Sequence, residues 1–133
     1  MNRQLVLRAI AVWLLIAAAE VVHGILRMQY LRPLVGDLRA RQLAVISGSL
    51  IVLAIAYLTR RFLRAATVQQ QFAVGALWVV LMVSFDFGIG RWIGYGWSRL
   101  LQDFDPSRGG FMLVGLALMV CAPWLTAPRP GRR

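Results

Sequence analysis

Four long apolar runs decide what this chain can fold into. Residues 9–19, 43–58, 72–85 and 112–126 carry no charged side chain. A water-soluble domain of 133 residues could not hide that much apolar surface, with 59% of residues hydrophobic and only 15% charged. The mean hydropathy of +0.67 points the same way, so the solvent must be lipid. A crossing needs roughly 20 residues, and each run reaches that length once its polar ends are included. The pattern predicts an all-α integral membrane protein, a four-transmembrane-helix bundle. Its spans fall at about residues 5–27, 38–59, 72–90 and 106–127, within a single domain of residues 1–127. Residues 128–133 read as a basic disordered tail.

Charge refines this picture. The net charge is +10, and all fifteen basic residues are arginines. A basic chain often binds nucleic acid, but here the arginines flank apolar segments and form no groove-reading motif. Arg3, Arg8, Arg60, Arg61, Arg64, Arg129, Arg132 and Arg133 fall on one side of the four-span topology. Arg27, Arg32, Arg39, Arg41, Arg91, Arg99 and Arg108 fall on the other. The excess puts both termini in the cytoplasm of a bacterial inner membrane, by a margin thin enough to leave dual insertion open. Arg3, Arg8 and Ala17-Ala18-Ala19 could also mark a signal peptide. The apolar helix continues past the alanines, however, which favours an uncleaved first span. Cys121 is the single cysteine, so an intrachain disulfide and a cysteine-rich metal site are excluded.

The chain also reads as two related hairpins. Gly24-Ile25-Leu26-Arg27 aligns with Gly88-Ile89-Gly90-Arg91, and each is followed by a polar connection, an aspartate and another apolar helix. Asp37 is expected to cap the second helix and Asp105-Pro106 to open the fourth. Two such halves would be related by an axis along the membrane normal. The plain alternative is that any two apolar hairpins look alike. Residues 60–71 read as a solvated inner loop. Trp97, Leu100, Leu101 and Phe104 have helical spacing and predict a short helix in the membrane interface between spans three and four. Gly48, between Ser47 and Ser49, and Gly109-Gly110 offer places for close helix approach.

Glu20 breaks the first apolar run, and His23 and Arg27 follow at +3 and +7. The three fall within about 60° on one helix face, with Glu20 roughly 10 Å deeper than Arg27. A charged group at mid-membrane costs about 2.5–3.5 kcal/mol on insertion scales, so the stripe should face protein or water rather than lipid. Aligning the two halves puts Asp86 level with Val22, close to His23, and Arg91 level with Arg27. The candidate proton- or substrate-binding residues are therefore Glu20, His23 and Asp86 at depth, with Arg27 and Arg91 at the mouth.

The favoured function is translocation of a proton or a small polar or anionic solute. Chains of Asp, Glu and His make proton relays, and arginines at a pore mouth attract anions. Small multidrug exporters carry an Ala-Glu in the first of four helices; Ala19-Glu20 resembles that dipeptide alone, and no family is assigned. The alternative is an accessory or assembly subunit of a larger membrane complex. In that case the same polar residues would simply bind helices together. Glu20-x-x-His23 has the spacing used in carboxylate di-iron bundles, but a single histidine excludes a self-contained di-iron site. No cofactor is expected. No Ser-His-Asp ordering, phosphate loop or zinc motif supports an enzyme. The expected partners are the lipid bilayer and either a second copy of the chain or a larger membrane complex.

Overall fold

The computed structural model describes residues 3–98 and 112–127. Among these the chain is helical, without strands. Helix α1 spans Arg3–Leu26, runs on through a π-helical turn at Arg27–Leu31 and ends in α2, Arg32–Val35. Helix α3 spans Asp37–Leu63, α4 spans Val68–Ile93 and α5 spans Met112–Thr126. Three helices, Arg3–Val35, Leu38–Leu63 and Val68–Ile93, are long and apolar enough to cross a membrane. Among the described residues, helix α5 is apolar and 15 residues long, about 22 Å of helix.

The first helix is longer than its sequence predicts. Residues 28–35 were expected in a polar connection, yet they continue the helix. Arg, Met, Gln and Leu are good helix formers, so nothing in 27–31 stops it. The ladder loosens instead: the Arg32 N–H bonds to the Arg27 carbonyl, the wider π register. Pro33 follows at once and brings no N–H of its own. Gly36, at φ 89°, then turns the chain sharply into α3. Gly36 also occupies the N-cap position, with Asp37 as the first helical residue, so the expected Asp37 cap lies one residue early.

The loop expected over residues 60–71 shrinks to 64–67. Helix α3 runs on to Leu63 and stops where Arg64 takes a left-handed conformation, φ 55° and ψ 37°. Helix α4 starts on a capping box: the Thr67 hydroxyl accepts from the Gln70 N–H at 3.1 Å, and Gln70 Oε1 accepts from the Thr67 N–H at 3.3 Å. Gln71 is buried and donates to the Ala65 carbonyl at 3.0 Å, which pins the connection to the helix. Most of the proposed interfacial helix, Asp105-Pro106, Gly109-Gly110 and the tail lie outside the described residues.

The helices alternate in direction. His23 meets Ser47 and Glu20 meets Gly48, so α1 and α3 are antiparallel. Trp78 meets Ala9 and Trp13 meets Phe85, so α1 and α4 are parallel. Phe72 stacks on Trp124 and Gly75 packs on Val120, so α4 and α5 are antiparallel. Both α1 and α5 pack against α3 and α4, which places α3 and α4 across the bundle from each other. In this ring α1 neighbours α4, and α3 neighbours α5. A two-fold axis along the normal, as the repeat would require, would instead place each of those pairs at opposite corners.

On α3 the inward face is mostly small, while α1 and α4 bury large side chains such as Trp13, Ile16 and Trp78. Helix α3 buries Ala40, Ala44, Gly48, Val52 and Ala56, a stripe at every fourth position. Small side chains let the backbones come close, the packing expected where lipid removes the hydrophobic drive between helices. A Cβ on Gly75 would run into the Val120 carbonyl, so α4 and α5 meet backbone to backbone there. Trp78 is the largest fully buried side chain, and its Nε1 donates to the Ala9 carbonyl at 2.9 Å. Leu14, Leu15, Leu50, Leu58, Val80 and Val114 all point outward and exposed. A belt of that size is out of place in water and suited to lipid.

Candidate functional site

Near the α2–α3 end of the bundle, α1 turns its polar stripe onto α3. Position 48 is glycine, and this leaves room for the Glu20 carboxylate. A Cβ at Gly48 would stand 3.0 Å from Glu20 Oε2 and 3.4 Å from Oε1. The Oε1 atom is buried and accepts no hydrogen bond among the described residues. Leaving a buried acceptor unsatisfied is costly, so such an atom calls for an explanation.

His23 bridges the two helices. Its Nδ1 lies 3.7 Å from Glu20 Oε2, an ion-pair distance when the ring is protonated and too long for a hydrogen bond. Its Nε2 lies 2.6 Å from Ser47 Oγ on α3. Ser47 Oγ is also 3.3 Å from the Leu43 carbonyl and 3.4 Å from the Ala44 carbonyl. The His23 and Glu20 side chains are 20% and 24% exposed, so the pair is shielded but reachable.

Two further predicted residues act on this pair through charge. Asp86 on α4 is near enough for its carboxylate to act on Glu20. Arg27 acts in the same way on His23. Arg27 and His23 also line a shallow groove of about 260 Å³ with Leu26, Tyr30, Leu31 and Leu34, along the π-helical turn. π-Helical turns recur at functional sites because they re-aim side chains within a helix. Arg91 is placed differently. It is exposed and turns toward the end of its own helix, donating to the Tyr95 carbonyl at 3.2 Å. Its guanidinium also lies 4.9 Å from the Trp97 ring centre. The structure thus brings Glu20, His23 and Arg27 together, with Asp86 within electrostatic range of Glu20, and leaves Arg91 at the α4 terminus.

Below the pair the core is largely apolar. Ile16, Ala17, Val52 and Met82 are buried one turn deeper, followed by Trp13 and Trp78. The Trp13 and Phe85 rings meet edge to face at 5.7 Å. The group is therefore reachable from the α2–α3 end and sealed from the other.

Ser47 and Gly48 are the site residues that sequence reasoning missed. The sequence marks Gly48 as a place for close helix approach and gives Ser47 no role of its own. The signal was present in Ser47-Gly48-Ser49: a hydroxyl beside a glycine, at a depth where an antiparallel α3 faces His23 and Glu20. As metal ligands, Glu20 and His23 would supply two donors. Among the described residues, no group of three or more His, Cys, Asp or Glu side chains gathers. Comparison with known proteins finds no matching family model, no matching curated protein and no matching solved structure.

Proposed function

We propose that this chain is a four-span integral membrane protein that carries protons, or another small polar or anionic solute, through the group at Glu20 and His23. The observation behind this reading is the Glu20 carboxylate. One of its oxygens is buried without a hydrogen bond, beside a histidine held by a second helix. Intramembrane carboxylates and histidines in such pairs are the parts from which proton relays are built. Access from one end only, above a sealed apolar layer, suits a carrier that opens its two sides in turn. Arg27 at the groove is suited to draw anions toward the mouth. In this reading α5, with residues preceding Met112, is the fourth span. Both termini lie in the cytoplasm of a bacterial inner membrane. Four helices enclose little volume, so the working unit is a homodimer or a larger membrane complex.

The test is a flux assay in liposomes containing the full chain. Glu20→Gln keeps the side chain's size and removes its ionisable group. Proton flux driven by a pH gradient should fall to the protein-free background. Equal flux through wild type and Glu20→Gln, for protons and a panel of small anions, would overturn the reading. A second reading, an accessory subunit, is favoured by an apolar groove of about 540 Å³ between α3 and α5, lined by Val45, Leu50, Val114, Leu118 and Trp124. Stoichiometric copurification of another membrane protein, with no intrinsic flux, would support that alternative.

A further inference from the structure

The Ser47 hydroxyl has more than one place to put its hydrogen. Toward the ring, Oγ is 2.6 Å from His23 Nε2. Toward its own backbone, it is 3.3 Å from the Leu43 carbonyl and 3.4 Å from the Ala44 carbonyl. The distances rank these options. The 2.6 Å contact to Nε2 is much the shortest, and it is short for a nitrogen–oxygen hydrogen bond with either atom as donor. The carbonyl distances are long for a hydroxyl. With His23 neutral, Ser47 therefore donates to Nε2. The ring hydrogen must then sit on Nδ1, the atom 3.7 Å from Glu20 Oε2.

We propose that Ser47 is a positioning residue of this site, a two-way hydroxyl that sets the tautomer of His23 and allows the ring to change its protonation state in place. When His23 gains a proton at Nε2, that nitrogen becomes a donor. The Ser47 oxygen accepts it, and the hydroxyl hydrogen rotates to the Leu43 or Ala44 carbonyl. No side chain has to move and no buried polar atom loses its partner. The imidazolium then directs its Nδ1–H at the Glu20 carboxylate. Once the two side chains close from 3.7 Å to hydrogen-bonding distance, the Nδ1–H bond can break as an Oε2–H bond forms, handing one proton from histidine to glutamate. The ring is then neutral, with its remaining hydrogen on Nε2 and donated to the Ser47 oxygen. The charged groups around this step are Glu20 and Arg27 on α1 and Asp86 on α4, with Ser47 as the contribution of α3. Ser49, Thr59 and Thr126 also bond back to carbonyls of their own helices, so what sets Ser47 apart is its contact with His23, the only histidine in the chain.

This inference deepens the transport reading, but its primary test is independent of transport. The full chain, labelled with ¹⁵N-histidine in lipid bilayers, reports His23 alone. At high pH the ring should show the neutral Nδ1–H form. Ser47→Ala should convert it to a mixture of the two tautomers, and Ser47→Thr should restore a single form. A neutral Nε2–H ring in the wild type, or a tautomer unchanged by Ser47→Ala, would overturn the proposal. In the liposome assay, Ser47→Ala should lower proton flux about tenfold, the equivalent of one net hydrogen bond, with Ser47→Thr recovering most of it. The expected tautomers without any wild-type flux would support the role of Ser47 and sink the transport reading. Should Ser47→Ala fail to fold, the wild-type spectrum and Ser47→Thr still decide the matter.

Discussion

At the scale of single residues, the site depends on what is missing at position 48. Glycine there lets the Glu20 carboxylate lie flat against α3. Gly48→Ala places a methyl group 3.0 Å from Oε2, so the carboxylate must shift by a few tenths of an ångström. A long flexible side chain can make that shift at little cost to packing, and alanine favours the helix by about 1 kcal/mol over glycine. We therefore expect Gly48→Ala to leave the melting temperature in detergent unchanged or slightly raised, while lowering proton flux several-fold. Loss of folding together with flux would mean that Gly48 serves packing alone. Ser47 and Glu20 stand on either side of this position in space, which explains why their substitutions test different things: Glu20→Gln removes the titrating group, and Ser47→Ala removes only the ring's support.

At the scale of elements, the connection between α3 and α4 shows how a few residues decide a boundary. Arg64 sits in the left-handed region, which costs an ordinary residue about 1–2 kcal/mol. Thr67 recovers part of that cost through its capping box with Gln70. The two residues should respond in opposite directions. Arg64→Gly relieves strain and should stabilise the protein by up to about 1 kcal/mol. Thr67→Ala removes the cap and should cost about 1 kcal/mol. Equilibrium unfolding in mixed micelles measures both. The Thr67-x-x-Gln70 pattern was legible in the sequence as a helix start, but the basic, glutamine-rich composition around it read as loop. At the other end of the bundle, α1 runs past its predicted stop because no residue between Arg27 and Leu31 breaks a helix. Only Pro33 and Gly36 end it.

At the scale of the whole molecule, the alternating helices put Arg3 and Thr126 at one end and the α2–α3 turn at the other. Leu34 is 81% exposed at the site end, and Ala66 is exposed at the terminal end. In a Cys121→Ser background, Leu34→Cys and Ala66→Cys should react with a membrane-impermeant maleimide from opposite faces of sealed vesicles. In the proposed orientation, Leu34→Cys is labelled in intact spheroplasts and Ala66→Cys only after lysis. Labelling of both positions in intact spheroplasts would indicate dual insertion.

The apolar runs by themselves determined the helical class, the long membrane-length helices and the polar face of α1. Those properties depend on hydropathy and helical period, which are local. They also marked Glu20, His23 and Arg27 as neighbours, since three and four residues along one helix always bring side chains together. Tertiary structure decided which helices meet. It placed α4 beside α1 and α5 beside α3, where hairpin symmetry would have set them apart. It gave His23 a serine and Glu20 a glycine from α3, and it turned Arg91 away toward Trp97. Such pairings depend on where small residues let two backbones approach, as at Gly75 and Val120. That is a property of two surfaces at once, and no single stretch of sequence carries it.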